Sequence, residues 1–478
     1  MRKKLVSGLL AATMVASLMV GCGSDTTTTE APAGDDAASE ATDAADDGEE
    51  TPAATTGNGT VSDDGTVLNI SVWNTEFKER VEAYYPGYEK DAKDENKGKI
   101  GDVEVHWNIT PSDDNAYQNK LDETLPNNID AAADDKVDLF CIEADYALKY
   151  VGADVTLDVI NDIGVDESLL ANQYQYTKDV ATDANGALKG VSWQGCPGVM
   201  IYRRDIAKDV WGTDDPAEIQ SHFNSWDDFY AAADELNAKG YQITSTVNDT
   251  YRVYSNNVSS KWVEDGKINI DPQIKAWAEA SKDMADKGYT STEELWSDGW
   301  NKGMQTDAKV FCYFGPAWLI DFCMHVGDAG MAATDGLYAA TKGPQGFFWG
   351  GTWICGANGT DNVSLVKDII EKMTTDEEIL TKIVKEKNDF VNNKPAMEAM
   401  AADTSYSSDI LGGQNALGMF CEGADAVSLE YLSNYDQGCN EEFQAAMKNW
   451  FDGNYASYDE AVEAFYTKVI EKYPELTK

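Results

Sequence analysis

The stretch VLNISVWN (Val67–Asn74) decides how the rest of the chain is read. It is an apolar run that alternates into Trp73, the pattern of a half-buried strand. A helical stretch from Glu76 to about Lys90 follows it. VEVHWNIT (Val103–Thr110) repeats the strand pattern, a helix near 115–125 carries Tyr117, Leu121 and Leu125 on one face, and VDLFCIEA (Val137–Ala144) reads as a third strand. Strand, helix, strand, helix, strand is the order of a parallel sheet covered by helices, an α/β arrangement. In such sheets ligands lie beyond the carboxyl ends of the strands, so Trp73, Asn74, Glu76 and Asp145 stand where a site is expected.

Upstream of this stretch the chain changes character twice. Arg2, Lys3 and Lys4 precede an apolar run from Leu5 to Val20 that is interrupted by Ser7, Gly8, Thr13 and Ser17. A positive start, a short apolar centre and small residues at the end make a signal peptide over 1–21 rather than a membrane span. The run closes in SLMVGC, which resembles the bacterial lipobox and implies lipid attachment at Cys22. Residues 23–66 then hold 12 acidic residues and no Lys or Arg. Such a segment buries too little apolar surface to offset its ordering entropy, so 22–66 reads as a lipidated cysteine plus a disordered acidic tether.

The formal net charge of −47 excludes nucleic acid as a natural partner, because no basic stripe exists to meet phosphates. From Val67 onward the composition is globular and the length is enough for two domains with their own cores. Seven cysteines besides Cys22 stand at 141, 196, 312, 323, 355, 421 and 439, an odd total with no C-x-x-C pair. Most sit in apolar runs such as DLFCIEA, where a buried free thiol is expected, and they point to a setting where oxygen is scarce. The three histidines, His106, His222 and His325, are far apart and lack metal-ligand spacing. No phosphate loop, zinc-protease, nucleophile-elbow or calcium-loop motif is present, so no cofactor and no metal are expected.

Downstream, SWDDFYAAADELNAKG opens with a capping box at Ser225 and Asp228 and stops at Gly240. A second helix begins at Asp271 and Pro272, closes at Gly288 and turns Ile274, Trp277, Ser281 and Met284 inward. From about Asn362 the chain is mostly amphipathic helix.

The order of lipobox, acidic tether, NISVWN, GVSWQGCPGVMIYRRDIA, SWDDFYAAADEL, WNKGMQTDAKVFCYFGPAW and GGTWICGAN resembles the extracellular solute-binding proteins of carbohydrate ABC importers, the group that includes maltose-binding protein. The resemblance implies a two-lobed periplasmic-binding-protein-like fold of type II, each lobe a sheet flanked by helices. It implies crossovers at VSWQGCPGVMIYRRD, DAKVFCYFGPAW and FFWGGTW, with lobes of 67–193 plus 313–347 and 198–310 plus 352–478. It also implies sugar contacts at Trp73, Asn74, Glu76, Asp145, Trp193, Gln194, Tyr251 and Trp318. In FFWGGTWICGAN, Gly350 and Gly351 permit a tight backbone passage, so Trp353 is expected to project into the cleft from the third crossover, with Trp349 a further candidate contact. Trp318 stands one residue later in its Gly-Pro corner than in the maltose-binding pattern. The expected partners are a carbohydrate ligand and ABC permease subunits, with the protein a monomer outside the cytoplasm, tied to the cell membrane only through its lipid.

The residues support a sugar independently. A sugar ring has an apolar face and a hydroxyl rim, so its site needs aromatic platforms with carboxylates, amides and guanidinium groups at the edge. The 13 Trp and 23 Tyr outnumber the 14 Phe, which suits a half-wet cleft better than a dry core. Each candidate also has a plain structural reading. Trp277 and Trp450 lie on amphipathic helices as core residues, and Glu76 and Asp145 equally suit first-turn acids serving a helix dipole. A secreted glycoside hydrolase is the rival reading, because two carboxylates suffice for that chemistry.

Overall fold

A strand of six buried residues, Val67–Val72, is the middle strand of the first sheet. The structure is a computed structural model that describes residues 59–324 and 334–478. The strands run in chain order as β1 (Val67–Val72), β2 (Tyr88–Lys90), β3 (Lys97–Ile100), β4 (Val103–Ile109), β5 (Leu139–Glu143), β6 (Val191–Ser192) and β7 (Pro197–Arg203). They continue as β8 (Gln242–Thr244), β9 (Val263–Glu264), β10 (Lys267–Ile268), β11 (Val310–Gly315), β12 (Tyr338–Thr341), β13 (Phe347–Phe348) and β14 (Thr352–Gly356). The first sheet has the order β2-β3-β4-β1-β5-β14-β6, and the second β12-β7-β11-β8 with β13 also on β7. β1 pairs in parallel with β4 and β5, as the alternation of strands and helices requires. Helices cover both sheets, and the fold class is the expected two-lobed α/β one.

Local signals set several helix ends. The helix Glu76–Tyr84 stops well before Lys90, because Pro86 and Gly87, with φ of 80° at the glycine, turn the chain into β2. The Ser225 hydroxyl accepts the Asp228 N–H at the start of Trp226–Ala238, and Asp271 accepts the Gln273 N–H at the start of Pro272–Asp286. Trp277 is fully buried on that second helix, as its periodicity requires, and Trp450 is half-buried.

Strand pairing redraws the expected lobes. β11 and β12 both pair with β7, so most of 313–347 belongs with the second sheet. β14 pairs with β5 and β6, so 352–356 belongs with the first. The helices Val363–Thr375 and Glu377–Lys387 pack on β14, β6 and Glu76–Tyr84, also in the first lobe. The chain therefore passes between sheets at 193–196 and 349–351, and returns through 388–393 to Lys394–Ala402 and Leu417–Ala426, the latter packed on β7 and β13. The Gly-Pro corner after β11 bends the chain but does not carry it to the other sheet among the described residues. A turn motif reports a change of direction; which sheet receives the next strand depends on partners distant in sequence.

The seven described cysteines are free thiols, six of them buried. No described helix is long and apolar enough to cross a membrane. The signal peptide, Cys22, the tether up to residue 58 and His325 lie outside the described residues, whereas 59–66, expected as tether, is ordered by hydrogen bonds to the first lobe, among them Ser62 N–H to the Thr360 carbonyl and Gly65 N–H to the Asp361 carbonyl.

Candidate ligand-binding cleft

A cavity of about 120 Å³ opens where the carboxyl end of β5 meets the second lobe. The first lobe supplies Ala144 and Asp145, the second supplies Arg252 and Asn440, and the 349–351 crossover supplies Trp349 and Gly350. Asp145 and Arg252 form a bidentate ion pair across the lobes, with Nη1 2.5 Å from Oδ1 and Nη2 on Oδ2. The Arg252 guanidinium lies 6.0 Å from the centre of the Trp349 ring, in cation–π range.

Behind Asp145, the carboxylate of Glu143 accepts the Asp145 N–H at 2.8 Å. Burial, then the Asp145 charge, pushes the Glu143 carboxyl above its ordinary range although Arg252 opposes the shift. On the second lobe, burial raises Asp436 to about 6. Asn440 Oδ1 accepts from the Tyr251 hydroxyl and from Trp262 Nε1, so its amide is held in place on the cavity wall. The wall is thus rimmed by carboxylates, amides and one guanidinium beside two indoles, Trp262 and Trp349, the set that can bind hydroxyls along an apolar ring face.

The expected contact residues divide into three groups. Asp145 and Trp349 line the cavity. Trp318 stands beside it, its Nε1 donating to the Trp349 carbonyl at 3.2 Å and its ring 5.0 Å from the Trp349 ring. Trp73 is half-buried against Tyr117 and Tyr146, in the same apolar cluster as Leu429 and Leu432 of the cavity wall.

A second group holds the crossovers. Asn74 Oδ1 accepts the Glu76 N–H at 3.0 Å and starts the helix Glu76–Tyr84. Gln194 Nε2 donates to Glu76 Oε1 at 2.8 Å and to Asp389 Oδ2 at 3.3 Å, and Arg80 Nη2 lies 3.6 and 3.8 Å from the same two carboxylates. The 193–196 and 388–393 crossovers pair directly, the Gly195 N–H donating to the Phe390 carbonyl and the Asn392 N–H to the Trp193 carbonyl. Burial raises both Glu76 and Asp389, each also feeling the charge of Asp321, against the pull of Arg80. Glu76 and Gln194 therefore tie two crossovers to the first lobe and do not line the cavity.

The third group is core. Trp193 is fully buried and stacks on Phe77 at 5.2 Å. Tyr251 is buried edge-on to Trp277 and reaches the cavity only through Asn440. Trp353 does not project into the cleft from its glycine turn: it is buried on β14, between β5 and β6, and its Nε1 donates to the Thr177 carbonyl at 2.8 Å. A strand paired on both sides turns alternate side chains into the packed faces of the sheet, which is where Trp353 goes.

Arg252, Glu143, Asn440 and Asp436 were not among the expected contacts. For Arg252 a signal exists. The chain has five arginines against 32 lysines, so arginine is used where its planar fork matters, and Arg80, Arg203, Arg204 and Arg252 all make specific charge or carbonyl contacts.

No protein-family model matches the chain, and no curated protein matches it by sequence. Solved structures do resemble it. One described as an extracellular solute-binding protein family 1 superposes with a TM-score of 0.66 at 19% identity, covering 84% of this chain and 100% of that one. The ABC transporter associated binding protein from B. animalis subsp. lactis Bl-04, in complex with β-1,6-galactobiose, gives 0.65 at 19%, covering 86% and 99%. The galacto-N-biose/lacto-N-biose I-binding protein of the ABC transporter from Bifidobacterium longum, in complex with lacto-N-biose, gives 0.63 at 13%, covering 87% and 100%. The chain has the two-lobed fold of extracellular solute-binding proteins, and the second and third of these neighbours are binding proteins of ABC transporters.

Proposed function

We propose that this protein captures a neutral oligosaccharide between its lobes and delivers it to the permease of an ABC importer. The observation that carries the reading is the cavity itself, walled from both lobes by Asp145, Arg252, Asn440 and the indole of Trp349. Neighbours in complex with β-1,6-galactobiose and lacto-N-biose support the same ligand class. A ligand touching both lobes favours the closed arrangement through its differential affinity for it, and the crossovers at 193–196, 349–351 and 388–393 are the natural hinge.

The carboxylates argue against the hydrolase reading. Asp145 is engaged by Arg252 on both oxygens, and Asp271 accepts four hydrogen bonds at a helix start, from Ser259 N and Oγ, Ser260 Oγ and Gln273 N. Two of the three carboxylates that line the cavity are thus held by charge or hydrogen bonds, and the third, Asp436, accepts from the Ser433 hydroxyl. The protein is accordingly read as a binding protein without catalytic activity, a monomer anchored outside the cytoplasm through an acylated Cys22 and its acidic tether.

Thermal shift and calorimetry with gluco- and galacto-oligosaccharides test the function, since a ligand bound only by the native state raises its melting temperature by mass action. Binding with the sugar recovered unchanged is expected; release of shorter sugars from the panel sinks the reading in favour of the hydrolase. Cys22→Ala should abolish partition into detergent or leave the precursor unprocessed. A processed variant that partitions like the wild type rules the anchor out.

A further inference from the structure

Trp296 lies between the helices Pro272–Asp286 and Asp298–Lys302 with a backbone φ of 68°. The left-handed region is costly for a bulky side chain, and strain of this kind persists only where the surroundings over-determine it, typically at functional sites and ligand clamps. The loop is pinned on both sides. The Trp296 carbonyl accepts Asn301 Nδ2 at 3.3 Å, Ser297 Oγ accepts the Trp300 N–H at 3.2 Å, and the Thr246 hydroxyl donates to the Glu293 carbonyl.

The strained residue presents its indole to water. Trp296 is 51% exposed, the only tryptophan in that state among the described residues. Its ring lies nearly parallel to Trp318 at 6.0 Å and 17°, tilted to Trp349 at 6.0 Å, and edge-on to the buried Trp300 at 5.1 Å. Trp349 walls the cavity beside Arg252. Three indoles therefore make one contiguous aromatic cluster that starts at the cavity wall with Trp349 and ends in solvent with Trp296.

We propose that Trp296 is a platform for a further sugar ring of a glycan whose first part occupies the cavity. The inference rests on the sugar-binding reading and adds a subsite to it. An exposed flat indole suits the C–H face of a pyranose, and a backbone held in one geometry lowers the ordering cost of binding. Glu293, Glu294 and Asp298 flank Trp296 in sequence, so this subsite favours an uncharged ring over a uronic acid.

The test is calorimetric titration of wild type, Trp296→Ala and Trp296→Phe with maltose, maltotriose and maltotetraose, and with β-1,6-galactobiose and its trisaccharide. In the series the wild type binds, affinity should rise on adding the third ring. Trp296→Ala should lose roughly tenfold for the longer sugar, the order expected from one ring face on an indole, and stay within about twofold for the disaccharide. Trp296→Phe should recover most of the loss, with denaturant melts of all three proteins alike. Equal losses for two and three rings, or wild-type affinity that does not rise with length, overturn the platform and leave the sugar-binding reading standing. No binding of any of these sugars by the wild type overturns both.

Discussion

At the cleft, Asp145 and Arg252 meet with 30% and 21% of their side chains exposed; at the hinge, Glu76, Arg80 and Asp389 meet with 13%, 5% and 2%. The chemistry is the same, carboxylate against guanidinium, but the surroundings separate the roles. At the cleft, water and ligand hydroxyls can compete for the charges, so the pair is available for recognition. At the hinge, two carboxylates share one cation away from water, so their charge is costly and their geometry is held by Gln194 and paired backbone. A polar side chain near a crossover is thus open to solvent and ligand or locked into the crossover packing according to its burial.

The largest expected effect attacks the hinge. Arg80→Ala leaves two buried carboxylates without their cation and should cost about 3–5 kcal/mol of stability at neutral pH, read by denaturant melt. The loss should shrink in acid, where the raised carboxylates take up protons. An equal loss at pH 5 and pH 8 breaks the comparison.

Trp353→Ala sharpens the same contrast with aromatics. Removing this core indole should cost about 3–5 kcal/mol of stability, while the folded fraction keeps its affinity. Trp349→Ala should differ by weakening sugar binding about ten- to a hundredfold through loss of the cavity wall, on top of a stability loss, since this ring is also buried in the second-lobe core. A large affinity loss from Trp353→Ala with normal stability would restore it to the cleft.

Asp249 offers a buried carboxylate held by neutral donors, Trp300 Nε1 at 2.7 Å and the Thr246 N–H at 2.8 Å. Burial pushes it up to about 7, above its unfolded value. The native state therefore holds a proton that the unfolded chain has released, so this contribution is full below about pH 4 and is lost as pH rises through about 7. Stability should fall by about 2–4 kcal/mol on this account between pH 4 and 8, and Asp249→Asn should flatten that slope. A variant with the wild-type pH dependence refutes the assignment.

The smallest effect on stability belongs to the cleft pair. Arg252→Ala should change stability by less than about 1 kcal/mol, because the pair is partly solvated. Sugar affinity should fall by about tenfold or more, and Arg252→Lys should not restore it, since an ammonium lacks the planar fork. A stability loss as large as that of Arg80→Ala makes Arg252 structural.

Legibility in the sequence followed the range of the interaction. Caps at Ser225 and Asp271, the periodic face carrying Trp277 and the strand VLNISV depend on neighbours a few residues away, and each stands where its pattern puts it. Trp193 and Trp353 carried the same signal as Trp349, an aromatic near glycines at a strand end. Only the tertiary packing separates them: all three rings are buried, but of the three only Trp349 lines the cavity.

The sequence by itself determined the fold class, the strand-helix alternation, the carboxyl-end location of Asp145 and the acidic segment that precedes the globular part. It also carried, in the choice of arginine over lysine, a mark on Arg252. It took the tertiary structure to put β12 in the second sheet and β14 in the first, to tie two crossovers through Glu76 and Gln194, and to bring Asp145 against Arg252 across 107 positions of chain. The reason is physical: propensity and periodicity act over one or two turns, whereas sheet partners, desolvation and interlobe charge pairing are set by residues that meet only after the chain has folded.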